Sequence, residues 1–191
     1  MKKLTLGALV AIFTTASVFA QAGYQAKPGT FDPDKTGIVT AAWINKLGLP
    51  DSGGSSFGLL LAKDGPSTTN AAAGAAITGV AGITLTELGF DYKNGGHCGA
   101  GSPRFNVVAT DGFHFVGGCS NGTPSAAAAG WTRVRFDPNN PGQAFPVITP
   151  GATVLSITLL ADEGTDVGPG NTIVDNIDVN GTLIEKPGTS K

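Results

Sequence analysis

From Gly37 onward, apolar and polar positions alternate with a period of two in short runs, and glycine, proline, asparagine and aspartate fall between the runs. That is the pattern of half-buried strands joined by turns. Trp131–Phe136 (WTRVRF) alternates most strictly, with Val134 and Phe136 on one face and Trp131, Arg133 and Arg135 on the other. Residues 83–92 set Thr84, Thr86, Leu88, Phe90 and Tyr92 on one face. Residues 104–110 and 113–117 flank an Asp111-Gly112 turn, a hairpin signal. Val154–Ala161 is nearly continuous in apolar residues, as expected of a central strand. Residues 173–179, an Asn180-Gly181 turn and Thr182–Ile184 complete the pattern. Earlier in the chain, Phe57–Lys63 has strand character, and residues 37–47 suit a strand better than a short helix. Residues 70–82 combine an alanine run with internal glycines, which predicts an extended segment of small residues rather than a helix. These roughly eight to ten short strands, with no repeat period and no linker, predict one all-β domain: a two-sheet antiparallel β-sandwich wound as a jelly roll.

The first 20 residues depart from this pattern. Lys2 and Lys3 precede an apolar run over residues 4–18, and Val18-Phe19-Ala20 offers small or modest residues before a cut after Ala20. This is the three-part order of a secretory signal peptide. Ala20-Gln21-Ala22 offers a second cut position, and no cysteine lies nearby to carry a lipid. The run is too short to span a bilayer, and no later stretch approaches ~18 apolar residues, so no membrane span is expected. Residues 21–35 are polar, hold Pro28, Gly29 and Pro33, and are expected to form a loose N-terminal lead. Residues 36–191 then make the sandwich domain. The product is expected to be secreted, in the periplasm or outside the cell.

Composition supports strands and turns. Only 3 of the 14 acidic residues are glutamate, and there are 29 glycines. Glutamate favours helical surfaces, whereas aspartate and glycine favour turns. The formal charge is −2, and −4 once Lys2 and Lys3 are removed. A mildly acidic domain without a basic cluster is a poor partner for nucleic acid or anionic membrane. The two cysteines, Cys98 and Cys119, predict a disulfide in an exported chain.

Four groups of residues are candidates for function. Trp131, Arg133 and Arg135 share a strand face that could stack on a sugar ring and donate hydrogen bonds to its hydroxyls. His114 alternates with Phe113 and Phe115; with both phenylalanines in the core, it should face outward, towards Arg135 if the sheet is shared. Asp175 shares a period-two face with Ile173, Ile177 and Val179, so its carboxylate should point coreward and need partners. With Asp162 and Asp166 it could supply oxygen ligands to a structural Ca²⁺, the alternative being hydrogen-bonded turn acids. The glycine-rich run over residues 95–104 lacks the strand, loop and helix of a phosphate site and is expected to be structural. An enzyme is not expected. Glu87 with Asp91 is the acidic pair that fits a strand, while Glu163 and Asp166 sit in a loop. Of the two histidines, His97 adjoins a cysteine.

The segment Asn171-Thr172-Ile173-Val174-Asp175-Asn176-Ile177-Asp178-Val179-Asn180-Gly181 resembles the closing strand of secreted bacterial jelly-roll modules, carbohydrate-binding modules among them. The resemblance implies sugar binding without catalysis, and a structural Ca²⁺ at Asp175. Together these observations lead us to expect a secreted, non-catalytic domain that binds carbohydrate or another surface polymer. A structural or protein-interaction component of the envelope or matrix is the alternative.

Overall fold

The computed structural model describes residues 23–162 and 170–188. The expected signal peptide, residues 1–20, and Asp166 lie outside the described residues. In chain order the strands are β1 (Gln25–Phe31), β2 (Val39–Asn45), β3 (Phe57–Lys63), β4 (Ala72–Thr78), β5 (Leu88–Lys93), β6 (Arg104–Ala109) and β7 (Gly112–Gly117). They continue as β8 (Thr123–Ala126), β9 (Trp131–Phe136), β10 (Ala144–Phe145), β11 (Val154–Ala161), β12 (Gly170–Val179) and β13 (Thr182–Ile184). A single 3₁₀ turn, Cys119–Asn121, is the helical element among the described residues.

Two antiparallel sheets form, ordered β1-β4-β11-β6-β7-β10 (sheet A) and β2-β3-β12-β5-β9-β8 (sheet B), with β13 added beside β12. Eight of the strands define the winding. Pairing runs from the outermost strands inward: β3 with β12, β4 with β11, β5 with β9, and β6 with β7. The eight are therefore one long antiparallel hairpin rolled over two sheets, which is the jelly-roll connection.

The core lies between the sheets. Phe90 and Phe136 of sheet B meet Phe105 of sheet A, with ring centroids 5.8–6.2 Å apart. Leu59, Val107, Ile157, Leu159, Val174 and Ile177 pack around them, nearly or wholly without solvent contact. The small-residue segment becomes the buried β4, where Gly74 lets β11 approach: a Cβ there would sit 2.6 Å from Leu159 O. The Cys98–Cys119 disulfide ties the connection between β5 and β6 to the 3₁₀ turn after β7. Gly118 beside it has φ +22°, and a Cβ would lie 2.0 Å from Ala100 O, so only glycine fits.

Three strands escaped the sequence pattern. The expected lead contains β1, an edge strand of sheet A that carries Pro28 and Gly29 and pairs with β4. Proline is tolerated there because an edge strand leaves one side unpaired. β8 and β10 are short edge strands with no alternation to detect. Residues 83–87 were expected to extend β5; they precede it instead, in a connection where Leu85 is buried.

Candidate functional site

Strand β9 keeps the expected parity: Val134 and Phe136 are buried in the core, and Arg133 and Arg135 project from the opposite face. Both arginines on that face are engaged in ion pairs, although the Arg133 side chain is still 37% exposed. Arg133 donates to Asp91 through Nε (2.8 Å) and Nη2 (3.0 Å), a two-pronged bond across the β5–β9 pair. Asp91, fully buried, raises the Arg133 guanidinium pKa further and also accepts from the Asn176 amide (2.8 Å). Arg135 lies flat over Gly89, where a Cβ would come 2.4 Å from its Cδ, and so reaches Asp178 on β12 at 2.9 Å. Trp131 is 9% exposed and offers no free ring. On the face expected of Trp131, Arg133 and Arg135, the two arginines thus form an ion-pair network and Trp131 is buried. Every guanidinium hydrogen bond made inside this network is one fewer for a ligand.

His114 also reverses its expected position. It is 2% exposed, while Phe113 and Phe115 are 45% and 41% exposed. The reason is register: His114 and Val116 lie opposite Val107 and Phe105, whose side chains are in the core. The ring fits there because both nitrogens are bonded, Nδ1 to Pro146 O and Nε2 to Asp111 Oδ1, each at 3.0 Å. Asp111 in turn accepts from Thr149 N (2.7 Å). That backbone donor, with help from the Thr149 and His114 side chains, lowers the Asp111 pKa to about 2. His114 therefore clamps the segment after β10 and does not join Arg135, which is in the other sheet.

Of the expected calcium set, Asp162 follows β11 of sheet A, Asp175 lies on β12 of sheet B, and Asp166 is outside the described residues. Asp162 is bound by Arg104 at 3.1 Å on sheet A. Asp175 is buried in sheet B, but not on the core face: a bulge at Asn176 (φ 45°) shifts parity. Val174 before the bulge and Ile177 and Val179 after it face the core. The Asp175 oxygens accept from Leu49 N and Asn176 N, both at 2.6 Å. These are donors, whereas calcium needs six to eight oxygens. Among the described residues no group of three or more His, Cys, Asp and Glu side chains converges as a metal site.

Although no Gly-x-Ser-x-Gly signature was expected, the chain holds two such runs, residues 54–58 and 118–122. A nucleophile elbow needs a strand entering a helix. Ser56 instead precedes β3, and Ser120 lies in the 3₁₀ turn.

The outer face of sheet A is open. Phe113 and Phe115 meet edge to face at 4.9 Å, and Phe145, 47% exposed, is in register with Phe115 on the neighbouring strand. The Arg104 guanidinium lies 5.0 Å over the Phe115 ring, oriented by Asn106 Oδ1, Gly101 O and Asp162 Oδ2. A depression of about 310 Å³ opens between Arg104, Phe115 and Phe145. The register continues across the sheet as Phe145, Phe115, Asn106, Thr158, Ala76 and Lys27. A second depression of about 400 Å³ ends this row between β1 and β4. Aromatic rings at one end, small and hydroxyl or amide residues in the middle and an ammonium at the other make a face that can stack on and hydrogen-bond an extended ligand.

Fold and site together define the class: a disulfide-tied jelly-roll sandwich with one face crossed by ion pairs and one face carrying exposed aromatic rings. No family model, no curated protein and no solved structure matches the chain. Among the described residues no helix is long and apolar enough to cross a membrane.

Proposed function

We propose that this protein is a secreted, non-catalytic module that binds carbohydrate or another extracellular polymer on the outer face of sheet A. The exposed row Phe113, Phe115 and Phe145 carries the reading. Each ring, 41–47% exposed, forgoes about half of the ~1.5–3 kcal/mol that full burial gives, so three together mark a surface suited to being covered. Sugar rings present apolar C–H faces to such platforms, and the Asn106 amide, oriented by Arg104, with the Thr158 hydroxyl next in register supplies polar groups beside them. Asp91, Asp111, Asp162 and Asp178 are each committed to a cationic or histidine partner within the fold, which favours a scaffold over an acid–base site. The alternative, a protein-interaction component, rests on the same exposed aromatic row.

Affinity electrophoresis in gels containing soluble polysaccharides distinguishes them. Retardation by at least one polysaccharide is expected, with roughly tenfold weaker retention for Phe115→Ala at an unchanged melting temperature (about 1.4 kcal/mol). Equal retention of the Phe115→Ala variant sinks the proposed face. Absence of any retardation, with self-association lost on the same substitution, favours the protein-interaction reading.

A further inference from the structure

Ala26 of β1 points into the core, so period two puts Lys27, Gly29 and Phe31 on the outer face of sheet A. All three are exposed, Phe31 by 59%. They line the depression of about 400 Å³ between β1 and β4, in register with Ala76, Gly74 and Ala72. Thr158 and Leu160 of β11 border it. Gly29 is the informative residue. The ladder between β1 and β4 runs through it without a bulge, and its φ is not in the left-handed region. A Cβ added there would meet nothing within 4 Å, whereas one at Gly74 would lie 2.7 Å from Leu160 Cδ2. Backbone conformation and packing therefore account for Gly74 but not for Gly29. Glycine weakens a strand interior, and what it serves there is a bulge, a bend, or the close approach of backbone or ligand. At Gly29 only the ligand is left.

Charge gives the sign of that ligand. The chain holds 14 acidic residues against 12 lysines and arginines, yet the six strands of sheet A contain no aspartate or glutamate. Asp91, Asp175 and Asp178 all lie on strands of sheet B. The basic side chains on the strands of sheet A are Lys27, Arg104 and the buried His114. Arg104 is answered by Asp162, and His114 by Asp111. Lys27 makes no ion pair and no side-chain hydrogen bond among the described residues, and no acid lines its depression. An exposed ammonium beside an unfilled gap in an acid-free sheet complements a negative group.

We infer that this depression is a subsite for an anionic sugar unit, and that the polymer bound on the outer face of sheet A is an acidic polysaccharide. The inference rests on the proposed binding face and names its ligand class. Phe31 offers its ring to the C–H side of the sugar, Gly29 leaves room for it, and the Lys27 ammonium donates to its carboxylate or sulfate. The aromatic row lies at the other end of the face. From Phe115 on β7 to Lys27 on β1 is four strand spacings, about 19 Å. A single sugar unit cannot touch both ends, so the ligand is an oligomer laid across the strands.

Affinity electrophoresis of the protein, Lys27→Gln and Gly29→Val tests the subsite, in gels containing alginate, polygalacturonate, hyaluronan or neutral polysaccharides. Retardation by at least one acidic polymer is expected, and added NaCl should weaken it. Lys27→Gln should weaken it roughly twofold to fivefold, the worth of one exposed ion pair. Gly29→Val fills the depression without a clash, so it should weaken retention at least as far while the melting temperature is kept or raised. Acidic-polymer retention unchanged in either variant overturns the subsite. Retention by neutral polysaccharides alone overturns the inference and leaves the binding face standing, whereas retention by no polysaccharide overturns both. Equal retention by double-stranded DNA overturns the sugar unit in favour of any polyanion.

Discussion

Asp91 has no contact with solvent, and Arg133, Asn176 and Arg135 surround its carboxyl group. Such a group is costly to leave unpaired. Breaking a buried pair from one side usually costs about 3–5 kcal/mol. Arg133→Ala should fall somewhat below that, at about 2–3 kcal/mol, because Arg135 and Asn176 remain. Urea denaturation checks this, with a lower midpoint and an unchanged m-value expected. A loss under ~0.5 kcal/mol would place Arg133 among ordinary exposed ion pairs. His114 teaches a related lesson at the same scale. A lone histidine between two phenylalanines looks like the polar member of the trio, yet two acceptors within 3.0 Å make the interior its better place. The phenylalanines are then left outside.

Among elements, those with strong internal alternation form where the sequence places them. β3, β6, β7, β9 and β11 match the expected runs to within a residue or so. Edge strands do not announce themselves, because they need match only one neighbour. β1 is held by its ladder to β4 and by Trp43 Nε1 of β2, which donates to Ala26 O at 2.9 Å. The cysteines act at this scale too. Their bridge spans 21 positions and secures the connection beside Arg104. Replacing both cysteines by serine should cost about 3 kcal/mol in the chain-entropy account. Denaturation of the double variant, and of the unsubstituted protein with and without reductant, measures it. Insensitivity to both would mean that the loop is held without the bond.

At the scale of the whole molecule, the two faces of the sandwich differ in what covers them. Sheet B is covered by residues 46–56 and by its own ion pairs, whereas sheet A presents the aromatic row. Export of the chain should remove the apolar N-terminus. Intact-mass measurement on protein recovered from the medium or periplasm of a secreting host should give a first residue of Gln21 or Gly23. Recovery of a chain that retains Met1 to Ala20 would argue against a cleaved signal. The disulfide accords with an oxidising destination.

The positions of most strands, the pairing of Cys98 with Cys119 and the core roles of Val134 and Phe136 were legible in the chain, because each follows from local alternation or from residue chemistry. The signal-like N-terminus, outside the described residues, is equally a feature of the sequence alone. What period two cannot supply is the choice of face. It groups Phe113 with Phe115, but only the register against β6 decides that the pair faces solvent. It groups Asp175 with Ile177, but the bulge at Asn176 separates them. It places Arg133 and Arg135 on an outer surface, but does not show that Asp91 and Asp178 on neighbouring strands pair with them there. Partners in a sandwich come from strands distant in sequence, so tertiary pairing alone determines which charges cancel and which rings remain open to a ligand.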